Sequence, residues 1–392
     1  MVDRSVRIVM NGVTGRMGLN QHLVRSINAI RDDGGIDIDD KTRIVPEPVL
    51  VGRDESKLRH ISESFGGFPW TTDLDQALSD PEAAIYFDAQ TTDRRVESVL
   101  KAINQGKHVY CEKPTATNVD EALLLYKAAE HAGIVHGVVQ DKLWLPGIVK
   151  LKGLLDTGFF GRVLSVRGEF GYWVFVGGTA EEGGDGQLPQ RPSWNYRRED
   201  GGGIIFDMLC HWRYLLDRLF GGVRSVSCLG ATHQSDRWNE AGNRYVATAD
   251  DAAYATFELE GGVIAQFNSS WCVRVRRDDL LTLHVDGTDG SAIAGLRECW
   301  AQPAGSTPRP VWNPDVPGNI DFFDGWDPVP GDPNPKNAFR AQWELFLKHA
   351  FLGTRFPWNL GEAAKGVQLA ECGMASWKRR QWVDIPTIDA VV

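Results

Sequence analysis

A lysine, a carboxylate and an imidazole that converge form a set able to transfer a proton. Lys113 stands in Glu112-Lys113-Pro114, at the end of a strand-like Gly106-Lys107-His108-Val109-Tyr110-Cys111. Asp207 and His211 follow Gly201-Gly202-Gly203 in an apolar stretch that, if helical, puts them on one face at i and i+4. His211 is the best candidate base, since an unperturbed imidazole titrates at about pH 6.5. Lys113 would bond the reacting oxygen and stabilise its developing charge. Asp207 would hold a neighbouring hydroxyl and orient the lysine or the histidine. Lys113 is the base instead if positive charge nearby lowers its pKa, and the sequence leaves that choice open. No third ligand is spaced to join Asp207 and His211 around an ion, so no metal is expected. The competing structural reading is a capped helix with a buried histidine.

These groups need a scaffold to bring them together. Arg7-Ile8-Val9-Met10 reads as a strand running into Asn11-Gly12-Val13-Thr14-Gly15-Arg16-Met17-Gly18 and an amphipathic helix from Leu19 to Ile30. Further strands are expected at Val49–Val51, after a polar insertion from Asp32 to Pro48, and at Ala83–Asp88, His108–Cys111 and Ile134–Val139. Helices are expected at Arg94–Asn104 and Asn118–Ala132. Such alternation predicts a Rossmann α/β domain, a doubly wound parallel sheet, over residues 1–140. Ligands of such sheets bind beyond the carboxyl ends of the strands, where Gly12, Arg53, Thr91, Lys113 and Gln140 all fall.

The glycine-rich turn, with Gly12, Thr14, Gly15, Arg16 and Met17, suits the pyrophosphate of a dinucleotide at a helix N-terminus. A loop that merely needs positive φ would look similar. Thr91, Thr92, Glu112 and Lys113 complete the expected cofactor contacts. Gly52 stands where an NAD site usually has a carboxylate, with Arg53 next and Lys57 a turn later. That favours the 2′-phosphate of NADP over NAD, with Asp54 as the opposing signal.

Residues 141–392 change character, to an α+β domain with an open, mainly antiparallel sheet. After a helix at Gly147–Leu155, alternating strands read at Arg162–Phe170, Val223–Leu229, Ala252–Leu259, Val263–Trp271 and Leu280–Val285, with a hairpin turn at Gly261-Gly262. Residues 338–380 are helical in pattern, broken at Phe356-Pro357-Trp358. The expected substrate contacts are Lys113, Gln140, Lys142, Trp194, Tyr196, Asp207 and His211. Trp194 and Tyr196 suit a pocket wall or hairpin packing. Segments 177–191 and 302–336 are long for loops. The second, with Trp312, Phe322, Phe323 and Trp326, would cover the pocket or pack on a neighbouring subunit.

A net charge of −10 and no Lys/Arg cluster argue against nucleic acid as a partner. No apolar run approaches the roughly 20 residues of a membrane span, and the first residues lack a secretory h-region. The six cysteines are scattered without C-x-x-C spacing, as in a reduced cytoplasmic protein. Fourteen tryptophans suit stacking on sugar rings as well as a core.

The string at 106–114 and the glycine, aspartate and histidine pattern at 201–211 resemble the Gfo/Idh/MocA family of NAD(P)-dependent oxidoreductases, over nearly the whole chain. The Gly-Arg-Met-Gly spacing of the first turn resembles dihydrodipicolinate reductases as well. The family resemblance implies that Lys113 lies beside the nicotinamide, and that Lys113, Asp207 and His211 line the substrate pocket. It implies a homodimer or homotetramer built through the second sheet. It also implies oxidation of a secondary alcohol of a sugar, sugar derivative or cyclitol, or the reverse reduction. Two other activities occur on this fold: a glycosidase that keeps its NAD in a closed redox cycle, and a regulator that binds dinucleotide without turnover. The presence of both Lys113 and His211 favours catalysis over the regulator.

Overall fold

The structure, a computed structural model, describes residues 2–315, 317–318 and 320–388. The chain opens on β1 (Val2–Asn11), whose inner half, Val6 to Met10, is largely apolar and buried, as in a strand covered on both faces. It passes into α1 (Met17–Asn28), wound with π geometry and continuing as α-helix through Ala29–Asp32. There follow β2 (Ile36–Asp37), β3 (Thr42–Val51), α2 (Glu55–Ser64), β4 (Trp70–Thr71), α3 (Leu74–Ser79), β5 (Ala83–Asp88), α4 (Thr92–Asn104), β6 (His108–Cys111), α5 (Val119–Ala132) and β7 (His136–Val138). The sheet order is β2-β3-β1-β5-β6-β7, with β4 beside β3. All its pairings are parallel except that of β2, so the fold is the doubly wound sheet that the alternating pattern predicts.

One strand is longer than its sequence suggests. The expected strand at Val49–Val51 begins at Thr42 and pairs with β1 over ten residues, so half of the supposed insertion is sheet. Pro46 and Pro48 obscured it. Leu50 donates outward to Pro69 O at 2.8 Å, and the two-residue period turns the nitrogens of Pro46 and Pro48 to the same outer edge. There β2 pairs no further than Ile44 and β4 starts at Leu50, so no N–H is required between them.

The second half holds α6 (Pro146–Asp156), β8 (Val163–Gly171), α7 (Ile204–Leu219), β9 (Val223–Ala231), the small hairpin β10 (Asp236–Trp238) and β11 (Arg244–Val246), then β12 (Ala252–Leu259), β13 (Ile264–Ser270), β14 (Leu281–Gly287), β15 (Gly290–Ala294), β16 (Cys299–Pro303) and β17 (Asp327–Pro328). Apart from that hairpin, these strands and β18 (Val383–Asp384) form a nine-stranded sheet, β17-β16-β15-β14-β8-β13-β12-β9-β18. Every pairing in it is antiparallel except β8 with β13. Gly261 and Gly262, with φ of +80° and +81°, turn β12 into β13. α7 lies on the sheet's inner face, where buried Trp212 packs on Phe267 and donates to Ser269 Oγ at 2.9 Å.

The last two helices, α8 (Ala338–Leu352) and α9 (Leu360–Arg379), tie the halves together. Trp343, Phe346 and Leu347 of α8, with Phe356, belong to the core of the first domain, against Phe87 and Tyr110. Trp358 O accepts from Val138 N at 2.9 Å and so covers the edge of β7. A division of the chain at residue 140 therefore separates α8 from the core it completes. α9 packs on α7, where Gly373 leaves room for Leu209.

Candidate active site

α7 starts at Gly203, whose φ of +121° suits only glycine. No side chain of its own caps it. Asp250, just before β12, does so instead: its Oδ2 accepts from Ile205 N at 2.7 Å and its backbone O from Ile204 N at 3.0 Å. A Cβ on Gly203 would lie 2.8 Å from Asp250 Oδ1, and one on Gly202 would collide with the backbone of Trp194. The glycine run thus seats the helix against the chain itself. Helical periodicity then sets Asp207, His211 and Tyr214 on one face.

Lys113 meets that face from the end of β6. Its Nζ donates to Asp207 Oδ1 at 2.5 Å, and Arg191 Nη2 reaches Asp207 Oδ2 at 3.4 Å. The lysine's backbone is held by Glu112, whose Oε2 accepts from Lys113 N at 3.0 Å. Glu112 Oε1 lies 2.8 Å from His22 Nε2, and Trp343 Nε1 donates to His22 Nδ1 at 2.9 Å, which leaves the imidazole hydrogen on Nε2 facing the carboxylate. From below, Arg95 donates to Pro114 O and Gln90 O and pairs with buried Asp88 at 2.9 Å.

Charge follows this geometry. Burial works against the Asp207 carboxylate, but the Lys113 and Arg191 cations hold it well below the usual range. Burial likewise opposes the Lys113 ammonium, and Asp207 overcomes it, so Lys113 stays charged. Burial, then the charges of Lys113 and Lys142, hold the His211 imidazole well below its ordinary value. The unfolded chain protonates this group at about pH 6.5, and the folded chain does not. The unfolded state then carries more protons, so stability falls as pH drops below that value, by up to about 1.4 kcal/mol per unit. His211→Gln should flatten this acid slope in thermal melts from about pH 7 to about pH 5; an unchanged slope would place the acid lability elsewhere.

These side chains open on a cavity of about 380 Å³ between the two sheets' elements. Gly15, Arg16, Met17, Thr91, Thr92 and Glu112 line it on the dinucleotide side. Lys113, Lys142, Trp194, Asp207 and His211 line it on the other. Gly12 and Thr14, though part of the turn, lie outside the lining, and Gly52 and Arg53 lie beyond it at the end of β3, where Thr14 packs on Gly52. Gln140 and Tyr196 do not reach the cavity. Gln140 is buried, its backbone N donating to Gln342 of α8. Tyr196 is buried beneath the Arg237 guanidinium, 3.7 Å from its ring centre, and against Trp271. Segment 177–191 reaches the cavity through Arg191, whereas no described residue of 302–336 lines it.

Among the lining residues that escaped sequence reasoning are Asp141, Arg191, Trp271 and Phe339. Asp141 adjoins Lys142 at the end of β7, a signal that was available. Tyr214 lies behind the lining, three residues from His211 on the same face, and was equally legible. Arg191 and Phe339 carry no local pattern. Among the described residues, no group of three or more His, Cys, Asp or Glu converges to hold a metal, and no helix is long and apolar enough to cross a membrane.

The turn fits a dinucleotide. Gly12 has φ of +88°, and a Cβ there would lie 2.6 Å from the backbone of Ala89 at the tip of β5. α1 begins with no side-chain cap and no acidic residue in its first turn, so its N–H groups and dipole are free for a phosphate. Gly15, Arg16 and Met17 would hold the pyrophosphate, and Thr91, Thr92 and Lys113 the nicotinamide end.

A Rossmann sheet, a phosphate-ready turn and a Lys–Asp–His cavity at its rim define a nicotinamide-dependent oxidoreductase. Residues 6–139 match the oxidoreductase family with an NAD-binding Rossmann fold, and residues 148–293 match the GFO/IDH/MocA C-terminal domain. The chain belongs to the Gfo/Idh/MocA family. It is 53% identical over 387 residues to a D-xylose dehydrogenase of Paenarthrobacter nicotinovorans, covering 98% of each chain. It is 25% identical to a 1,5-anhydro-D-fructose reductase of Ensifer adhaerens, over 78% of this chain and 83% of that one. A levoglucosan dehydrogenase in complex with NADH and levoglucosan shares the fold, with a TM-score of 0.81 at 18% identity, over 98% of this chain and 100% of that one.

Proposed function

We propose that this enzyme oxidises a secondary carbinol of a small sugar, D-xylose first among them, to the corresponding carbonyl compound, releasing one proton. The observation that carries this reading is the Lys113–Asp207 pair and His211 facing the same cavity into which the phosphate-ready turn opens. The 53% identity to a D-xylose dehydrogenase supports the choice of sugar. When bound, the nicotinamide accepts the hydride of the carbinol carbon. Lys113, kept charged by Asp207, donates a hydrogen bond to the reacting oxygen and stabilises negative charge there. The hydroxyl proton leaves toward Lys142 and His211. Trp194, Trp271 and Phe339 supply flat apolar walls for a ring, and Arg191 a donor for its hydroxyls.

NADP is the preferred cofactor in this reading. Asp54, the first carboxylate after β3, caps α2, accepting from Lys57 N at 3.0 Å and from Ser56 Oγ at 2.7 Å. It is thereby engaged, while Arg53 is exposed and available to a 2′-phosphate. Free cysteines throughout the described residues fit a cytoplasmic protein. Exposed Leu229, Tyr254, Ile264 and Trp300 on the second sheet's outer side fit a homo-oligomer.

A panel of sugars and cyclitols offered with each cofactor, followed by absorbance of the reduced nicotinamide, tests this function. D-xylose should be turned over, and Arg53→Ala should raise KM for NADP far more than for NAD. Absence of reduction with every sugar, or glycoside hydrolysis without net reduced nicotinamide, would overturn the reading.

A further inference from the structure

Lys142 follows Asp141 in the turn after β7, and its Nζ lies 3.0 Å from His211 Nε2 and 3.7 Å from Asp141 Oδ2. His211 Nδ1 lies 2.7 Å from Tyr214 Oη, which also accepts from Lys142 N at 3.3 Å and reaches Asp141 Oδ1 at 3.4 Å. Counting donors fixes the direction of this ring. A carboxylate only accepts, so the single Tyr214 hydroxyl hydrogen goes to Asp141. Both lone pairs of that hydroxyl then accept, one from Lys142 N–H and one from His211, which puts the imidazole hydrogen on Nδ1. Nε2 is left bare and accepts from the Lys142 side chain. Burial holds Tyr214 well above its ordinary value, so the hydroxyl persists and the ring keeps its direction.

Building on the dehydrogenase reading above, we propose that Lys142 is the base, that His211 aims its amine, and that Tyr214 and Asp141 are positioning residues that fix the imidazole tautomer. Once deprotonated, the Lys142 amine keeps one N–H on His211 Nε2 and turns its lone pair to the substrate hydroxyl. The O–H bond breaks, an N–H bond forms on Lys142, and the O–H electron pair stays on the oxygen, against the Lys113 ammonium. The resulting Lys142 ammonium stands beside the Asp141 carboxylate. Lys113 is unsuited to this role, being tied to Asp207. A second proton on His211 would set an imidazolium between two lysines.

The groups around Lys142 act on its charge in both directions. Glu112 and Lys113 face it from the end of β6, Asp141 from the end of β7, and Asp207, His211 and Tyr214 from α7. Burial dominates and lowers the ammonium's pKa; Lys113 adds to this, while Asp141, Asp207 and Glu112 oppose it.

The test uses the full chain with Lys142→Met, Lys142→Arg and Tyr214→Phe. Lys142→Met should lower sugar oxidation by about 10²–10⁴-fold and be partly rescued by added alkylamines. Lys142→Arg retains a cation and a donor to Nε2 but cannot deprotonate, so it should be as slow as the methionine variant, with reduced-nicotinamide affinity close to wild type. The ¹⁵N spectrum of His211, read without substrate or cofactor, should show the hydrogen on Nδ1, and Tyr214→Phe should mix the tautomers and displace the acid limb of the kcat/KM profile. An active Lys142→Arg enzyme would overturn the assignment of the base, and a wild-type hydrogen on Nε2 would overturn the positioning ring. Because the tautomer is read without turnover, inactivity of the wild type toward every sugar would remove the dehydrogenase reading separately.

Discussion

Lys113→Ala should lower turnover by about 10²–10⁴-fold, the usual worth of a positioned acid–base or oxyanion-binding group. The ammonium is 2.5 Å from Asp207 and stays charged despite burial, so it is a permanent donor aimed into the cavity. Its removal leaves Asp207 with Arg191 as its remaining ion-pair partner, at 3.4 Å. The pyrophosphate turn from Gly12 to Met17 is carried by separate elements, so dinucleotide affinity should stay within a few-fold. Single-turnover oxidation combined with a cofactor titration separates the two effects. His211→Ala should show the same division. Near-full turnover in both variants on the true substrate would make the α7 motif scaffold rather than catalyst.

Arg95→Ala should destabilise the fold by about 3–5 kcal/mol, the range seen when one partner of a buried ion pair is removed. Arg95 and Asp88 have side-chain exposures of 2% and 0%. Without the guanidinium, Asp88 retains only Tyr86 Oη at 2.6 Å and Gln90 N at 3.0 Å. Burial already pushes this carboxyl up against the pull of Arg95, so the lone carboxylate would take up a proton. Pro114 O and Gln90 O would also lose their donor, which loosens the turn that presents Lys113. Urea unfolding measures the loss. A second change, Asp88→Asn, should recover part of it by removing the unpaired buried carboxyl. A cost under about 1 kcal/mol for Arg95→Ala alone would mean that water reaches the pair and that the turn is held by other contacts.

The sequence by itself determined the repeating elements and the groups that periodicity aligns. Alternating apolar strands and amphipathic helices specify the doubly wound sheet, and a helical reading from Ile204 puts Asp207 and His211 on one face. Tyr214 was open to the same reasoning. Proline hid the first half of β3, because the local rule against proline in a strand cannot know that the strand's outer edge has a gap. Tertiary structure decided the rest. It turned Tyr196 into the core under Arg237, and it used Gly202 and Gly203 for contact with Trp194 and Asp250. It brought Arg191 to Asp207, Trp343 through His22 to Glu112, and Lys142 to His211. These partners come from elements distant in sequence, with no period linking them. Which carboxylate pairs with which cation, and which tautomer an imidazole keeps, depends on burial and donor counting around a finished cavity, and those exist only once the two sheets and α8 have packed.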